Sequence, residues 1–471
     1  MAPPPVPQAK SRALVVRRGS PPSSSVVVVP QRQLGEGEVL VKLQAAALTP
    51  ADALLCQGPA PLPELLGLPP SAALVPGCFF YGEVLAVGPY VEGLEKGEPV
   101  LGVVDGAALA PSRGNAPEAV GAGAEEEGAS GGGCYREAVR VHFSALLPAA
   151  ELAAANLHPP VVVAHVPPMV SAVFCVASQL RLRAGEALLV IAPRLGDVAF
   201  LLQRLLLIGD AWSGPLYLIL LQGHSPTRAD LERHPQLRPL LPQPDEEGAA
   251  RPSPRGRSAS GSFLDDFVSW SAEEHLQQRG AAGMQPEQAA EGLRELVGRA
   301  AGLTRGAGFD VVLALDVELA PPEPTQPPEL STRLADAEAV EGAAVALDMP
   351  PRPSTLLRTL LGALAVRGRL VTNCRKVEMM PADSEHLWLK EGSISFFNPH
   401  SLFLSGARHG ALLHAMAEVA GRLARGELPV ADAEVAQYRL FEQFHPALEA
   451  VAGRGGRGVA GPGPQLVALV V

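Results

Sequence analysis

The chain opens with short apolar runs, not helical stripes. After a Pro-rich first dozen residues come ALVVRR from Ala13, then SSVVVVP, then GEVLVKLQAAAL, each rich in branched residues and bounded by Gly, Pro or Ser. This pattern predicts strands, because β-branched side chains suit a pleated surface and the flanking residues suit turns. A glycine-punctuated run, PGCFFYGEVLAVGPYVEGLEKGEPVLGVV over 76–104, extends it and predicts a small barrel. CYREAVRV (134–141) reads as the strand that closes this region.

From about residue 160 the rhythm changes. Helix 169–182, strand 187–192, helix 196–208 and strand 216–221 follow in turn. Helix 287–301, strand 309–316, helix 354–366 and strand 368–374 repeat the alternation, which predicts a parallel sheet with covering helices. Helices near 409–425 and 441–452 and the apolar strand QLVALVV end the chain. Three low-complexity stretches, 106–133, 242–262 and 318–353, interrupt the pattern and are expected to lie outside both cores. The expected organisation is a loose segment 1–12, a barrel over 13–160, an α/β domain over 161–398 and a return to the barrel over 399–471.

Composition narrows the classes. Gly (48) and Pro (47) make up about a fifth of 471 residues, yet 47% hydrophobic and only 18% charged residues exclude full disorder. The glycines have no period of three, which excludes collagen. A net charge of −11 argues against a broad phosphate-neutralising surface, so nucleic acid is not an expected partner. Five scattered cysteines form no C-x-x-C pair and read as ordinary thiols of a reducing compartment. MAPPPVPQAKSR lacks the apolar segment of a secretory signal, and the longest apolar runs, such as 198–208 and 211–221, fall short of the roughly 20 residues needed to cross a bilayer. A cytoplasmic protein without membrane partners is expected.

One motif carries more. Gly77, Gly82, Gly88, Gly97 and Gly102 stand at fixed offsets in P-G-x-x-x-x-G-x-V-x-x-V-G-x-x-V followed by G-E-x-V-x-G. Here the chain resembles the medium-chain dehydrogenase/reductase superfamily, whose GroES-like barrel carries this pattern. The later order, A-G-E before an apolar strand, then G-F-D-V-V-L and R-G-R-L-V, resembles its Rossmann domain. The implied fold is α/β, a GroES-like β-barrel plus a doubly wound parallel sheet. ALTPAD (47–52) resembles the A-x-N-P-x-D of the zinc-free, zeta-crystallin-like quinone oxidoreductases, with Thr49 in place of Asn. The catalytic Cys and His and the four-cysteine lobe of zinc alcohol dehydrogenases have no matching spacing, so no metal is expected.

The resemblance implies a function and a site. Hydride would pass from a nicotinamide to a quinone or enone, with the protein supplying mainly positioning. Thr49, Asp52 and Phe79 are the implied pocket residues, Phe79 standing where an acid is usual. Val173 stands at the position of the family's Tyr. The family's G-A-x-G-G-V-G turn corresponds to 192–198, where only Gly196 remains; Ala192, Leu195 and Val198 replace the other glycines. Arg194 has the right sign for a phosphate, or is simply a solvated loop residue, while Asp197 has the wrong one. After the second strand come His224, Ser225 and Arg228 and no acid, which favours NADP(H) over NAD; a polar turn capping a helix explains them equally. Two functions stay open: an NADP(H)-dependent quinone reductase, or a fold-retaining protein that binds without turnover. The insert RPSPRGRSASGS, with serines beside arginines, could add phospho-regulation to either. The FFN segment (396–398) is the expected homodimer edge, and Lys390 is expected at a solvated turn.

Overall fold

The structure, a computed structural model, describes residues 10–17, 22–31, 33–57, 73–104, 133–192, 195–207, 212, 214–220, 267–271, 286–304, 307–315, 355–374, 377–399, 408–428, 430, 435–452 and 466–471. It divides into two compact units, Met1–Phe174 with Asn398–Val471, and Cys175–Phe397. The expected low-complexity inserts 106–133, 242–262 and 318–353 lie almost wholly outside the described residues.

The first unit begins with β1 (Lys10–Arg17), β2 (Ser23–Pro30), β3 (Glu38–Ala47), α1 (Pro50–Gln57), β4 (Ala73–Leu74), β5 (Phe79–Val87) and β6 (Pro99–Val103). It continues through β7 (Ala138–His142), β8 (Leu146–Pro148), α2 (Ala150–Ala154) and α3 (Pro159–Phe174). β5 lies between β3 and β6 in antiparallel register, and β3 also pairs with β7. Alternation places Val39, Val41 and Leu43 of β3 in one core with Phe80, Val84 and Val100. Two glycines are forced by this packing. Gly102 faces the Phe80 ring so closely that a Cβ would enter it, and Gly77, at φ +95°, backs onto Tyr135.

α3 corrects two sequence expectations. It starts at Pro159, ten residues before the expected start, and runs through Pro167 and Pro168. Proline fixes φ near the helical value, so burial of this apolar segment can carry a helix past the missing N–H groups. With the π-helical turn Cys175–Leu180 that follows, Pro159–Leu180 is long and apolar enough to cross a membrane by length and composition, and 67% of that window is buried.

The second unit holds β9 (Leu188–Ala192), α4 (Leu195–Leu207), β10 (Leu216–Leu220), β11 (Phe267–Ser271), α5 (Pro286–Leu303) and β12 (Phe309–Ala314). α6 (Thr355–Ala363), β13 (Leu364–Thr372), α7 (Pro381–Lys390) and β14 (Ser393–Phe396) complete it. The strands are all parallel, in the order β11-β10-β9-β12-β13-β14. Every residue of β9 is buried: Leu188, Val190 and Ala192 pack with α4, while Leu189 and Ile191 pack with α5 and α6. A strand covered on both faces needs the unbroken apolar run seen in the sequence. β13 takes over residues 364–366, which helical spacing assigned to the preceding helix.

The chain then returns to the first unit with α8 (His409–Ala424), β15 (Val435–Arg439), α9 (Phe444–Ala452) and β16 (Leu466–Val470). β16 pairs antiparallel with β3, so the last residues of the chain complete the barrel sheet.

Candidate functional site

Thr49 and Asp52 form one closed unit at the start of α1. The Thr49 backbone N–H and hydroxyl both donate to Asp52 Oδ2, at 2.9 and 2.6 Å, and the Asp52 N–H donates back to Thr49 Oγ1 at 3.3 Å. This is reciprocal capping of a helix N-terminus, in which side chains satisfy donors the helix leaves unpaired. The second Asp52 oxygen accepts the Gly77 N–H at 3.1 Å and ties the helix to the P-G turn. Asp52 is wholly buried. Burial pushes its carboxyl up from the ordinary range, opposed by the bonds from Thr49 and Gly77.

Around this clasp lie groups that sequence reasoning left scattered. The Tyr135 hydroxyl donates to the Ala47 carbonyl at 2.9 Å, and the Cys134 thiol faces the Phe79 carbonyl at 3.6 Å. Burial first, then the Asp52 charge, pushes both the thiol and the phenol well up, so neither is a nucleophile at neutral pH. Phe79 is fully buried. The structure thus brings together Thr49, Asp52 and Phe79, but as a packed interior of the barrel unit. The pairing of Cys134 and Tyr135 with the P-G turn had no signal in spacing, since 55 residues separate Phe79 from Cys134. Among the described residues no group of three or more His, Cys, Asp or Glu side chains is placed to hold a metal ion.

The second candidate region is the carboxyl edge of the parallel sheet. Strand order reverses between β9 and β12, and in doubly wound sheets such a switch point leaves a crevice for a ligand. α4 begins at Leu195, three residues beyond the end of β9, so its first-turn amides open at this edge. That backbone suits a dinucleotide phosphate. Two side chains do not: Ala192 and Val198 are fully buried in the core between α4 and the sheet, at positions where the resembled family has glycine. Gly196 lies in the first turn of α4. Arg194, His224, Ser225 and Arg228 lie outside the described residues.

The opposite edge of this sheet is pinned. The Arg369 guanidinium bonds the Leu180 and Arg181 carbonyls at 2.6 and 2.9 Å and both Glu186 oxygens at 3.0 and 2.7 Å. Burial pushes the Glu186 carboxyl up, but Arg369 outweighs it and holds the group below the ordinary value. Lys390 is not at a solvated turn. Its ammonium donates to the carbonyls of Leu361, Gly362 and Leu364, at 3.2, 2.6 and 2.6 Å, and so closes the end of α6.

Comparison with known proteins fits this geometry. Residues 35–151 match the alcohol dehydrogenase GroES-like domain. A zinc-type alcohol dehydrogenase-like protein of Schizosaccharomyces pombe is 48% identical over 73 residues, which is 16% of this chain and only 19% of that protein. Similar solved structures span nearly everything. An alcohol dehydrogenase superfamily protein from Novosphingobium aromaticivorans has a TM-score of 0.57 at 16% identity, covering 98% of this chain and 99% of its own. A structure described as an NADPH:quinone reductase from Bacillus thuringiensis has 0.57 at 14%, with the same coverage. A mycobacterial quinone oxidoreductase has 0.54 at 17%, covering 98% and 100%. Residues 35–151 of this chain are therefore a GroES-like domain of the alcohol dehydrogenase type, and the fold as a whole is similar to that of solved alcohol dehydrogenases and quinone reductases.

Proposed function

We propose that the chain is a zinc-free oxidoreductase of the quinone reductase type, using NADP(H) and a small quinone or enone acceptor. The observation that carries this reading is the sheet order β11-β10-β9-β12-β13-β14, with α4 opening at the carboxyl end of β9 beside the switch point. When bound, the nicotinamide would supply the hydride. The chain would hold the phosphates with the first-turn amides of α4, and Thr49, Asp52 and Phe79 would stiffen the barrel wall as positioning residues. CYREAVRVH (134–142) and ADSEHLWLKEGSISFFN (382–398) add support by resembling quinone oxidoreductase-like protein 1.

Titration of the full chain with NADPH and NADH, followed by calorimetry, tests the reading. Saturable NADPH binding near micromolar, tighter than NADH, is the expected result; no heat at about 1 mM of either would sink it. If NADPH binds, its oxidation by a small para-quinone is the second readout.

A second reading is a dinucleotide- or partner-binding protein without turnover, and the buried Ala192 and Val198 favour it. NADPH binding with no quinone-dependent oxidation would decide for it. Under either reading we propose a homodimer through β14, an outermost strand whose Phe396 is 58% exposed. Phe396→Asp should elute as a monomer, and an unchanged elution volume would remove that assignment.

A further inference from the structure

The barrel unit carries a groove of about 400 Å³ that includes none of Thr49, Asp52 and Phe79. Its polar lining comes from neighbouring strands and the connector before α3: Gln44 on β3, Tyr81 and Glu83 on β5, then Asn156 and His158. That volume lies within the range of small-molecule sites.

Tyr81 is the informative residue. The residue is only 2% exposed as a whole, but its hydroxyl, which makes no hydrogen bond with any described residue, is not one of the enclosed polar atoms and so reaches the groove. A phenol hydroxyl that opens into a groove can exchange its water for a polar group of a ligand. Burial also pushes the Tyr81 phenol up, which keeps it a neutral donor. Glu83 is half-buried and stands opposite Lys42 in the β3–β5 register, but the two form no ion pair.

The groove also discriminates by charge. Its lining has one carboxylate and no lysine or arginine. The α3 N-terminus beside it offers no anion site: Pro159 and Pro160 have no N–H, and the N–H groups of Val161 and Val162 both donate to the His158 carbonyl. An anion would meet a negative charge and no free helix donor.

We propose that this groove binds a small organic ammonium carrying hydroxyl groups, an amino alcohol or amino sugar, with Glu83 facing the ammonium and Tyr81, Gln44 and Asn156 taking the hydroxyls. Calorimetry on the full chain with ethanolamine and glucosamine tests it, with glycerol and inorganic phosphate alongside. Saturable amine binding is expected, weakened about tenfold or more in Glu83→Gln and in Tyr81→Phe, both with unchanged melting curves. Phosphate should give no saturable heat and glycerol should bind more weakly than either amine. Absence of amine binding at about 50 mM, equal binding of phosphate, or full binding by Glu83→Gln would each overturn the proposal.

Discussion

The clasp of the barrel unit and the crevice edge of the parallel sheet treat glycine in opposite ways. At Gly77 the backbone must pass between Asp52 and Tyr135, and no side chain fits. At 192 and 198 side chains do fit, and they fill the core between α4 and the sheet. In a chain with 48 glycines, the number of glycines therefore says little about where backbone must approach closely. What matters is whether the space beside each Cα is needed by a neighbour or left for a ligand.

Five variants would break or sharpen this contrast. Gly77→Ala should cost most, about 4 kcal/mol, since it combines a positive φ with a clash in a packed core. Chemical denaturation would measure it, and a loss under 1 kcal/mol would mean the clasp is loose. Arg369→Ala should cost about 3 kcal/mol, because it strips four bonds from a largely buried network.

Asp52→Asn should cost about 2 kcal/mol and also change the pH profile. Asp52 titrates higher when folded than its ordinary 3.8, so wild-type stability falls as pH rises from there through the raised value. The Asn variant should lack that fall. Glu186 has the opposite sign: held below 4.5 when folded, it adds stability above that pH that is lost on acidification. Glu186→Gln should therefore flatten the acid side, and melts from pH 3 to 7 would separate the two residues. If both variants shifted the profile in the same direction, the contrast between the units would fail.

The smallest effect is the most telling for function. Val198→Gly should lose some stability yet tighten NADPH binding about tenfold, by letting α4 close on the sheet as the resembled turn does. Unchanged affinity would show that the crevice is limited elsewhere.

Much of this was legible in the chain. The alternation of β3 and the unbroken apolar β9 declared one half-covered and one fully covered strand, because burial sets the side-chain period directly. The offsets of Gly77 and Gly102 marked the barrel, since each answers to a specific close contact. Local signals failed where tertiary packing overrode them. Pro167 and Pro168 hid the first half of α3, and Lys390 looked solvated because the carbonyls it closes lie some 26 to 29 residues away.

The sequence by itself determined the two-unit α/β architecture and the unusual state of the turn at 192–198. Pattern and spacing are local properties, so they survive without coordinates. Only the tertiary structure decided that Asp52 reaches Gly77, 25 residues on, and that the Tyr81 hydroxyl opens into a groove shared with Gln44 and Asn156. Each of these depends on residues far apart in the chain being brought together. No spacing rule records that.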